Sequence, residues 1–319
     1  MGPERGCPEG PLHDRSAAAV AGKRGEGSRE LRKAKRMKTA VSMFSFAQDA
    51  DLREKFALIR RAGYDGVEPV MSEAGYLTHL SSEAEIRKIG KIAADNGLEI
   101  PSVGVWSLWE NNPLSDDPAI REKAKAILIR LLEAAKILGA DTVLAVPGYV
   151  GCEFAARPER IRYDIAYERC VKLFSELAKT AEALGVSIGI ENVWNKFLLS
   201  PLEMKRFISD IGSASVGVYF DVGNILYTGY PEDWIRILGP AIKKIHLSDC
   251  RRDQAGLGAF VDLFAGDVDF AAVAAALKEI GYDDYLTLEM LPNYRMFPDV
   301  SVFSNRPAVE KILELCRAA

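Results

Sequence analysis

The amino-acid sequence predicts an α/β fold, a (β/α)8 TIM barrel. From Thr39 onward, short β-rich runs alternate with longer amphipathic stretches, and the alternation is completed eight times. Several of the helical stretches end in a glycine just before the next strand. Repetition of this unit is what closes a parallel barrel. A chain of 319 residues with 48% hydrophobic content is long enough to bury the core of one.

The predicted strands are short apolar runs rich in β-branched and aromatic side chains, bounded by polar residues or glycine. In order, they cover Thr39–Phe44, Gly66–Val70, Glu99–Val105, Thr142–Val146, Ser187–Glu191, Val216–Asp221, Ile242–Leu247 and Tyr285–Glu289. Each run is followed by a helical stretch or by a loop that leads into one, as parallel strands require.

The predicted helices combine helical periodicity with good helix-forming residues. They cover Leu52–Ala62, Glu83–Asn96, Ala119–Leu138, Ile165–Leu184, the short Trp234–Leu238, and Ala271–Ile280. Glycines at helix ends are typical of a left-handed backbone, and five are expected to have it: Gly63, Gly97, Gly139, Gly185 and Gly281. An open, doubly wound sheet would also alternate strands and helices, but its phosphate-binding patterns GxGxxG and GxxxxGK[ST] occur nowhere in the sequence.

Residues 1–38 differ in composition from the remainder. They contain ten Lys or Arg against five Asp or Glu, a net charge of +5, and almost no large apolar side chains, so the other residues carry −9. Such a segment cannot bury enough apolar surface to fold. We therefore predict a disordered basic extension over residues 1–38 and a barrel domain over residues 39–319.

Charge and hydropathy exclude several classes of partner. The acidic barrel domain argues against nucleic acid. The sequence has neither the run of about 18 apolar residues of a membrane span nor the apolar region of a secretory signal. We expect a cytoplasmic enzyme whose partner is a small sugar or sugar phosphate, with no nucleic acid and no membrane, and with a homodimer or homotetramer as the assembly to test.

Four consecutive predicted strands each finish an apolar run with a side chain that can bind a metal. Glu191, Asp221 and Glu289 end strands five, six and eight, and His246 lies near the end of strand seven. The carboxyl ends of barrel strands meet at one mouth, so one ion explains all four residues together. Three carboxylates and an imidazole suit Mn²⁺ or Mg²⁺, with Co²⁺ and Zn²⁺ as alternatives.

The same residues predict a type of reaction. A divalent ion can bind the carbonyl oxygen and the neighbouring hydroxyl of a sugar, and stabilise the enediolate that forms when the intervening C–H loses its proton. Glu191 and Glu289 come from strands that face each other across part of the mouth, so one could remove the proton and the other return it on the opposite face. Trp194, three residues after a predicted ligand, is a candidate to contact the sugar.

Five motifs resemble the sugar-phosphate isomerase/epimerase superfamily, which has the xylose-isomerase-like barrel. They are Ile190-Glu-Asn192, Phe220-Asp-Val-Gly-Asn224, His246-Leu-Ser-Asp249, Phe264-Ala-Gly-Asp-Val-Asp-Phe270 and Leu288-Glu-Met290. Within the superfamily, the chain is most similar to L-ribulose-5-phosphate (L-xylulose-5-phosphate) 3-epimerases and more distantly to D-tagatose 3-epimerase. The resemblance implies that the four strand-end residues bind the metal and that the two glutamates among them are the catalytic pair.

The resemblance also implies substrate contacts for Asn224, Arg252 and Glu68, with Arg251 as the alternative to Arg252. The implied function is a metal-dependent ketose or ketose-phosphate 3-epimerase. The alternatives are an aldose/ketose isomerase, including the hydroxypyruvate and hexulose-phosphate types, an inosose-type dehydratase and, more distantly, a non-catalytic sugar-binding protein. The segment Pro292–Asn305 departs from the family pattern and is expected to be an extra loop that could cover the pocket.

Overall fold

The computed structural model describes residues 37–47, 51–153, 155, 159–254 and 256–318. Residues 1–36 of the predicted basic extension lie outside these described residues, so the disorder of the extension stays a prediction. Lys38, its predicted last residue, already belongs to the first strand.

The strands of the barrel follow the eight predicted runs closely. They are β1 (Lys38–Ser42), β2 (Gly66–Glu68), β3 (Val70–Met71), β4 (Ser102–Val105), β5 (Thr142–Ala145), β6 (Ser187–Glu191), β7 (Val216–Asp221), β8 (Ile242–Leu247) and β11 (Tyr285–Leu288). Between β8 and β11, two further short strands, β9 (Asp249–Cys250) and β10 (Phe260–Val261), form an antiparallel pair that the sequence did not predict.

The barrel strands are joined in one parallel sheet in the order β2-β1-β11-β8-β7-β6-β5-β4-β3. The two ends of this order, β2 and β3, are consecutive in the chain and are separated only by Pro69. Proline has no N–H to donate to a strand ladder, which explains why the second predicted strand is interrupted there. The carbonyl of Pro69 still accepts a hydrogen bond from Gly104, so the sheet continues around the ring and the predicted TIM barrel is confirmed.

Helices surround the sheet. They are α1 (Leu52–Arg61), α2 (Glu83–Asp95), α3 (Pro118–Leu138), α4 (Tyr163–Leu184), α5 (Pro201–Ile211), α6 (Pro231–Leu238), α7 (Phe270–Glu279), α8 (Val300–Ser304) and α9 (Arg306–Ala318). Across the described part of the chain, none of them combines the length and the apolar composition that crossing a membrane requires.

The ends of the helices follow from local chemistry. Helix α3 begins after Asp117, whose carboxylate accepts the N–H of Ala119, and ends at Gly139, which has a φ of 77°. Helix α4 ends in the same way at Gly185, with a φ of 66°. A left-handed backbone costs other residues steric strain, and all five glycines predicted to adopt it have positive φ angles.

The amino-terminal end of the barrel interior is occupied by a buried lysine. Lys244 is only 1% exposed, and its Nζ lies 2.9 Å from a carboxylate oxygen of Asp141 and 2.9 Å from one of Asp284. A buried charge is tolerated where it is paired in this way. The predicted chemistry lies at the opposite, carboxyl end of the strands.

Candidate metal centre and active site

Strand register brings the predicted ligands to one face of the sheet. Asp221 of β7 pairs with His246 of β8, and His246 pairs in turn with Thr287 of β11. Residues paired across parallel strands point to the same face, and so do residues two apart along one strand. Glu289, two residues after Thr287, and Glu191 at the end of β6 therefore project into the barrel beside Asp221 and His246.

The four predicted ligands form one compact cluster. One ligand atom from each of Glu191, Asp221, His246 and Glu289 lies within 4.8 Å of the others. Asp221 and His246 are fully buried, and the side chains of Glu191 and Glu289 are 7% and 12% exposed. Bonds from carboxylate oxygens and imidazole nitrogens to a first-row divalent ion are about 2 Å long, so the size of the cluster fits one such ion.

Two ligand atoms in the cluster are buried and have no hydrogen-bond partner among the described residues. They are Oδ2 of Asp221 and Nδ1 of His246. Nδ1 lies 3.2 Å from Oε2 of Glu289 but is not aligned for a hydrogen bond with it. Buried polar atoms nearly always have a partner, and a cation bound between these side chains would provide one for both. The residues present therefore fit a divalent metal ion.

The electrostatics of the cluster also favour a bound cation. Burial, followed by the charge of Glu289, raises the pKa of Glu191 well above its usual range. Burial and then Glu289 also raise the pKa of Asp221, to about 7. Carboxylates gathered in a dry site resist ionisation unless a positive charge joins them. A metal ion that binds here must displace these protons, so its binding depends on pH.

We predict that Mn²⁺ stabilises the protein more as the pH rises from about 5 to about 7.5. The pKa of Asp221 is about 7 in the folded chain against an ordinary value of 3.8. Between these values the folded state binds more protons than the unfolded state, so the stability of the metal-stripped protein falls as the pH rises. The rise in Tm on adding saturating Mn²⁺, measured by differential scanning fluorimetry, should grow across this window. An increase independent of pH would contradict the prediction.

Glu68, predicted to contact substrate, lies behind His246 instead of in the pocket. Its carboxylate is fully buried, and Oε1 lies 2.9 Å from Nε2 of His246. Oε2 accepts hydrogen bonds of 2.6 Å from the hydroxyls of Ser102 and Tyr219. Although burial alone would raise the pKa of Glu68, the charge of His246 and these hydrogen bonds hold it below its usual range. Glu68 is not among the residues that line the cavity in front of the cluster, and its contact with substrate stays a prediction.

Arg252, also predicted to contact substrate, lies on the protein surface. Its guanidinium is stacked 4.8 Å above the centre of the Tyr230 ring. Its backbone N–H donates to the carboxylate of Asp267. Arg252 is not among the residues that line the cavity in front of the cluster, and its contact with substrate stays a prediction.

Asn224 and Trp194 do lie where the predicted site requires. Both line the cavity in front of the cluster. The backbone N–H of Asn224 donates to Asp221, and its carbonyl oxygen accepts a hydrogen bond from the Trp194 indole. The Trp194 ring packs 5.2 Å from that of Phe260. Contact of either residue with substrate stays a prediction.

The cavity that opens onto the cluster has a volume of about 100 Å³. Its walls are mostly aromatic and aliphatic, formed by Phe44, Trp106, Trp109, Val146, Val193, Trp194, Leu257, Phe260 and Leu291. Its polar lining consists of Glu191, Asn224, Ser248 and Glu289. Trp106 and Trp109 follow the end of β4, the end of the barrel at which the strand-end rule places the site, and from the sequence such aromatic residues near the mouth are candidates to stack on a sugar.

Two polar side chains that the sequence did not single out hold Asp221 in place. The amide of Asn192 donates to the Asp221 carbonyl and accepts its N–H, at 2.7 and 2.9 Å. The hydroxyl of Ser248 donates to Oδ1 of Asp221 at 2.7 Å, which leaves Oδ2 facing the cluster. Each of the two residues lies within two positions of a predicted ligand in the sequence, and this proximity could have identified them as residues of the metal site.

Asp249, the last residue of the motif that begins at His246, holds the backbone of the motif Phe264–Phe270. Its carboxylate accepts the backbone N–H groups of Phe264, Gly266 and Val268. A Cβ at Gly266 would lie 2.2 Å from Oδ1 of Asp249, so only glycine allows this approach. The aspartate thus fastens the loop after β10, the strand that contributes Phe260 to the cavity wall.

Residues 56–317 match the family model described as xylose isomerase-like TIM barrel. The chain belongs to this family. Because the match covers most of the described residues, the fold and the resemblance predicted from the motifs are confirmed.

Several relatives of this chain are named as epimerases. D-psicose 3-epimerase of Ruminiclostridium cellulolyticum is 26% identical over 249 residues, covering 76% of this chain and 78% of the relative. A putative L-ribulose-5-phosphate 3-epimerase of Escherichia coli is 25% identical over 281 residues, covering 83% of this chain and 93% of the relative. A solved structure of L-ribulose 3-epimerase has a TM-score of 0.71 at 22% identity, covering 88% of this chain and 96% of that one.

The segment after β11 of this xylose isomerase-like barrel reaches across part of the mouth. Leu291 lines the cavity, and the Asn293 amide donates to the carbonyl of Phe44 at 3.2 Å. The outer part of the segment stays at the surface, since Met296 and Phe297 are 73% and 74% exposed. Leu291 precedes the predicted extra loop Pro292–Asn305, and none of the residues of that loop is among those that line this cavity, so a covering role for the loop stays a prediction.

Proposed function

We propose that this chain is a divalent-metal-dependent ketose 3-epimerase that acts on a sugar without phosphate. The observation that carries the proposal is the convergence of two glutamates with Asp221 and His246 in a buried cluster facing an apolar cavity. Relatives that match most of the chain are named as 3-epimerases of psicose and of ribulose 5-phosphate. These names support an enzyme of the isomerase class that inverts a sugar stereocentre.

The residues that would hold the ion are Glu191, Asp221, His246 and Glu289. When bound, a divalent ion acts as a Lewis acid on the ketone oxygen and a neighbouring hydroxyl, and stabilises the negative charge that develops when C3 loses its proton. The oxygen-rich ligand set of these four residues is best suited to Mn²⁺ or Mg²⁺, and we propose Mn²⁺ as the resident ion.

The two glutamates carry out the proton transfers. The carboxylate of one removes the proton from C3, and the carboxylic acid of the other delivers a proton to the opposite face of the same carbon. The first glutamate ends protonated and the second ionised, so the pair exchanges roles and can run the reaction in either direction. Both act in front of apolar walls, which exclude water and strengthen the electrostatic interactions between glutamates and sugar.

The composition of the cavity favours a neutral sugar over a sugar phosphate. Among the described residues that line it, none is Lys or Arg. Arg252 and Lys196 are not among its lining residues; Arg252 stacks on Tyr230, and Lys196 pairs with Glu153 at the surface. A phosphate taken from water into an apolar cavity next to carboxylates would lose its hydration without gaining a cationic partner.

The test is conversion of matched sugars in D2O with Mn²⁺, followed by NMR. Free ketoses such as D-psicose and L-ribulose should epimerise with deuterium incorporated at C3 and an intact carbon skeleton. L-ribulose 5-phosphate should have a kcat/KM at least about 100-fold lower than that of L-ribulose. This factor corresponds to about one charge-assisted hydrogen bond that the phosphate makes in water and does not regain in the cavity. Retention of the C3 proton through turnover would rule out the epimerase. Deuterium at an aldose carbon would indicate an isomerase, and loss of water a dehydratase.

A further inference from the structure

The two ring nitrogens of His246 face different carboxylates. Nδ1 lies on the side of the metal cluster, 3.2 Å from Oε2 of Glu289. Nε2 points away from the cluster and lies 2.9 Å from Oε1 of Glu68. A neutral imidazole carries its hydrogen on one nitrogen only, and the group that accepts a hydrogen bond from that nitrogen decides which one it is. A histidine that binds a metal ion is neutral, so with Glu68 as acceptor the hydrogen of a metal-bound His246 would be on Nε2, and Nδ1 would present its lone pair to the ion.

Glu68 is itself held so that only one of its oxygens is available to His246. The hydroxyls of Ser102 and Tyr219 both donate to Oε2, at 2.6 Å each, and they lie 3.1 Å from one another. Oε1 is left for His246. Because Glu68, Ser102, Tyr219 and His246 are all 0% exposed, bulk water does not compete for these hydrogen bonds.

The faces of the imidazole are restrained as well. The Tyr219 ring lies 4.5 Å from that of His246 at an angle of 60°, and the Phe44 ring lies 6.5 Å away at 85°. The hydrogen bond to Glu68 sets the rotation of the imidazole within its plane, and the neighbouring rings oppose tilting. Tyr219 both orients Glu68 and packs against the residue that Glu68 orients.

We propose that Glu68 is a positioning residue of the metal centre, which fixes the tautomer and orientation of His246 so that Nδ1 binds the ion. The proposal rests on the metal site of the proposed function but is independent of the sugar. Partners of this kind raise the basicity of a ligating histidine, and their loss typically lowers metal affinity about 10- to 100-fold. A carboxylate that only filled the barrel interior would have no such effect.

The first measurement is the tautomer of His246 in the intact protein. The chain has three histidines, so long-range ¹H–¹⁵N spectra of the Zn²⁺-loaded, ¹⁵N-histidine protein contain few signals. The expected result for His246 is a metal-bound Nδ1 and a protonated Nε2. A metal-bound Nε2 would overturn the proposal. This measurement needs no variant, so it holds even if substitution of Glu68 prevents folding.

The second measurement compares Glu68→Gln with Tyr219→Phe by calorimetric titration of Mn²⁺ into metal-stripped protein. Glu68→Gln keeps the size of the side chain but removes its charge, and should weaken Mn²⁺ binding about 10- to 100-fold. Tyr219→Phe removes one buried hydrogen bond and leaves the Glu68 contact to His246, so it should weaken binding clearly less. Equal losses in the two variants, or unchanged affinity in Glu68→Gln, would make Glu68 a contact of the fold alone.

The outcomes separate this inference from the proposed function. If the wild type binds Mn²⁺ through Nδ1 but converts no ketose, the epimerase proposal fails and the role of Glu68 stands. If ketoses are epimerised while Glu68→Gln binds Mn²⁺ as tightly as the wild type, the role of Glu68 fails and the epimerase proposal stands.

Discussion

Glu289→Gln should lower kcat for ketose epimerisation by at least about 1000-fold, near the upper part of the range for a lost general acid or base. Glutamine has nearly the shape of glutamate but cannot give or take the proton at C3. Glu289 lines the cavity and lies 3.2 Å from Nδ1 of His246, where the proposed proton transfer takes place. Deuterium exchange at C3 should stop together with epimerisation.

Sugar binding should stay measurable in Glu289→Gln, because glutamine keeps the shape of the side chain and the apolar walls of the cavity are unchanged. The matched control is Glu73→Gln, which removes the same charge from a glutamate that contacts Lys123 and Asn111 outside the cavity. Its kcat should equal that of the wild type. Loss of a general acid or base normally leaves much less than a tenth of the activity. If Glu289→Gln kept more than about a tenth of wild-type turnover, the proton transfer would have to be assigned to another group. Wild-type protein that binds ketoses but converts none would instead support a sugar-binding protein.

Asp221→Asn should abolish metal binding and activity together. The hydrogen bonds of Oδ1 with Ser248 and Asn224 can be kept by the amide oxygen, and the amide NH₂ then occupies the place of Oδ2, the atom that faces the cluster without a partner. A donor group in that place repels a cation. Metal content measured by mass spectrometry should fall from about one ion per chain to nearly none, and kcat/KM by at least about 1000-fold.

The same substitution should not destabilise the metal-stripped protein at neutral pH. Burial and the charge of Glu289 raise the pKa of Asp221 to about 7, so ionisation of Asp221 near neutral pH opposes folding, and asparagine removes this cost. The free energy of unfolding of the wild type and of Asp221→Asn, measured with denaturant after treatment with a chelator, tests this expectation. A wild type that remains fully active after the chelator, or an Asp221→Asn variant that retains its metal, would contradict the metal site.

The residues at the strand ends were predictable because a strand end is recognised from its local sequence, and because all (β/α)8 barrels bring these ends together at one mouth. Glu191, Asp221 and Glu289 each close an apolar run, and the carboxyl ends of parallel strands meet in a barrel. Helix α6 shows how local signals can be misread: the sequence predicted Trp234–Leu238, but the helix begins at Pro231. Proline is favourable at the first position of a helix, so it marked the start of α6 and not a boundary outside it.

The surroundings of Glu68 and Arg252 were less predictable because they depend on partners that are distant in the sequence. Glu68 was correctly placed at a strand end, but its contacts with Ser102, Tyr219 and His246 form only in the closed barrel. Arg252 stacks on Tyr230, which is 22 positions away in the sequence. Helix α5 and the β9–β10 pair were also absent from the predicted elements.

The ligands come from β6, β7, β8 and β11, whereas Phe44, Trp106 and Trp109 of the cavity wall follow β1 and β4. Part of the cavity wall is thus set by strands that carry no ligand, although Val193, Trp194, Leu257, Phe260 and Leu291 of the same wall come from the half that carries the ligands. Loops after the early strands can change the shape of the cavity without moving a ligand to the ion. Sequence drift in the first half can therefore produce enzymes that accept different sugars while the second half preserves one reaction, which is how one barrel supports many substrates.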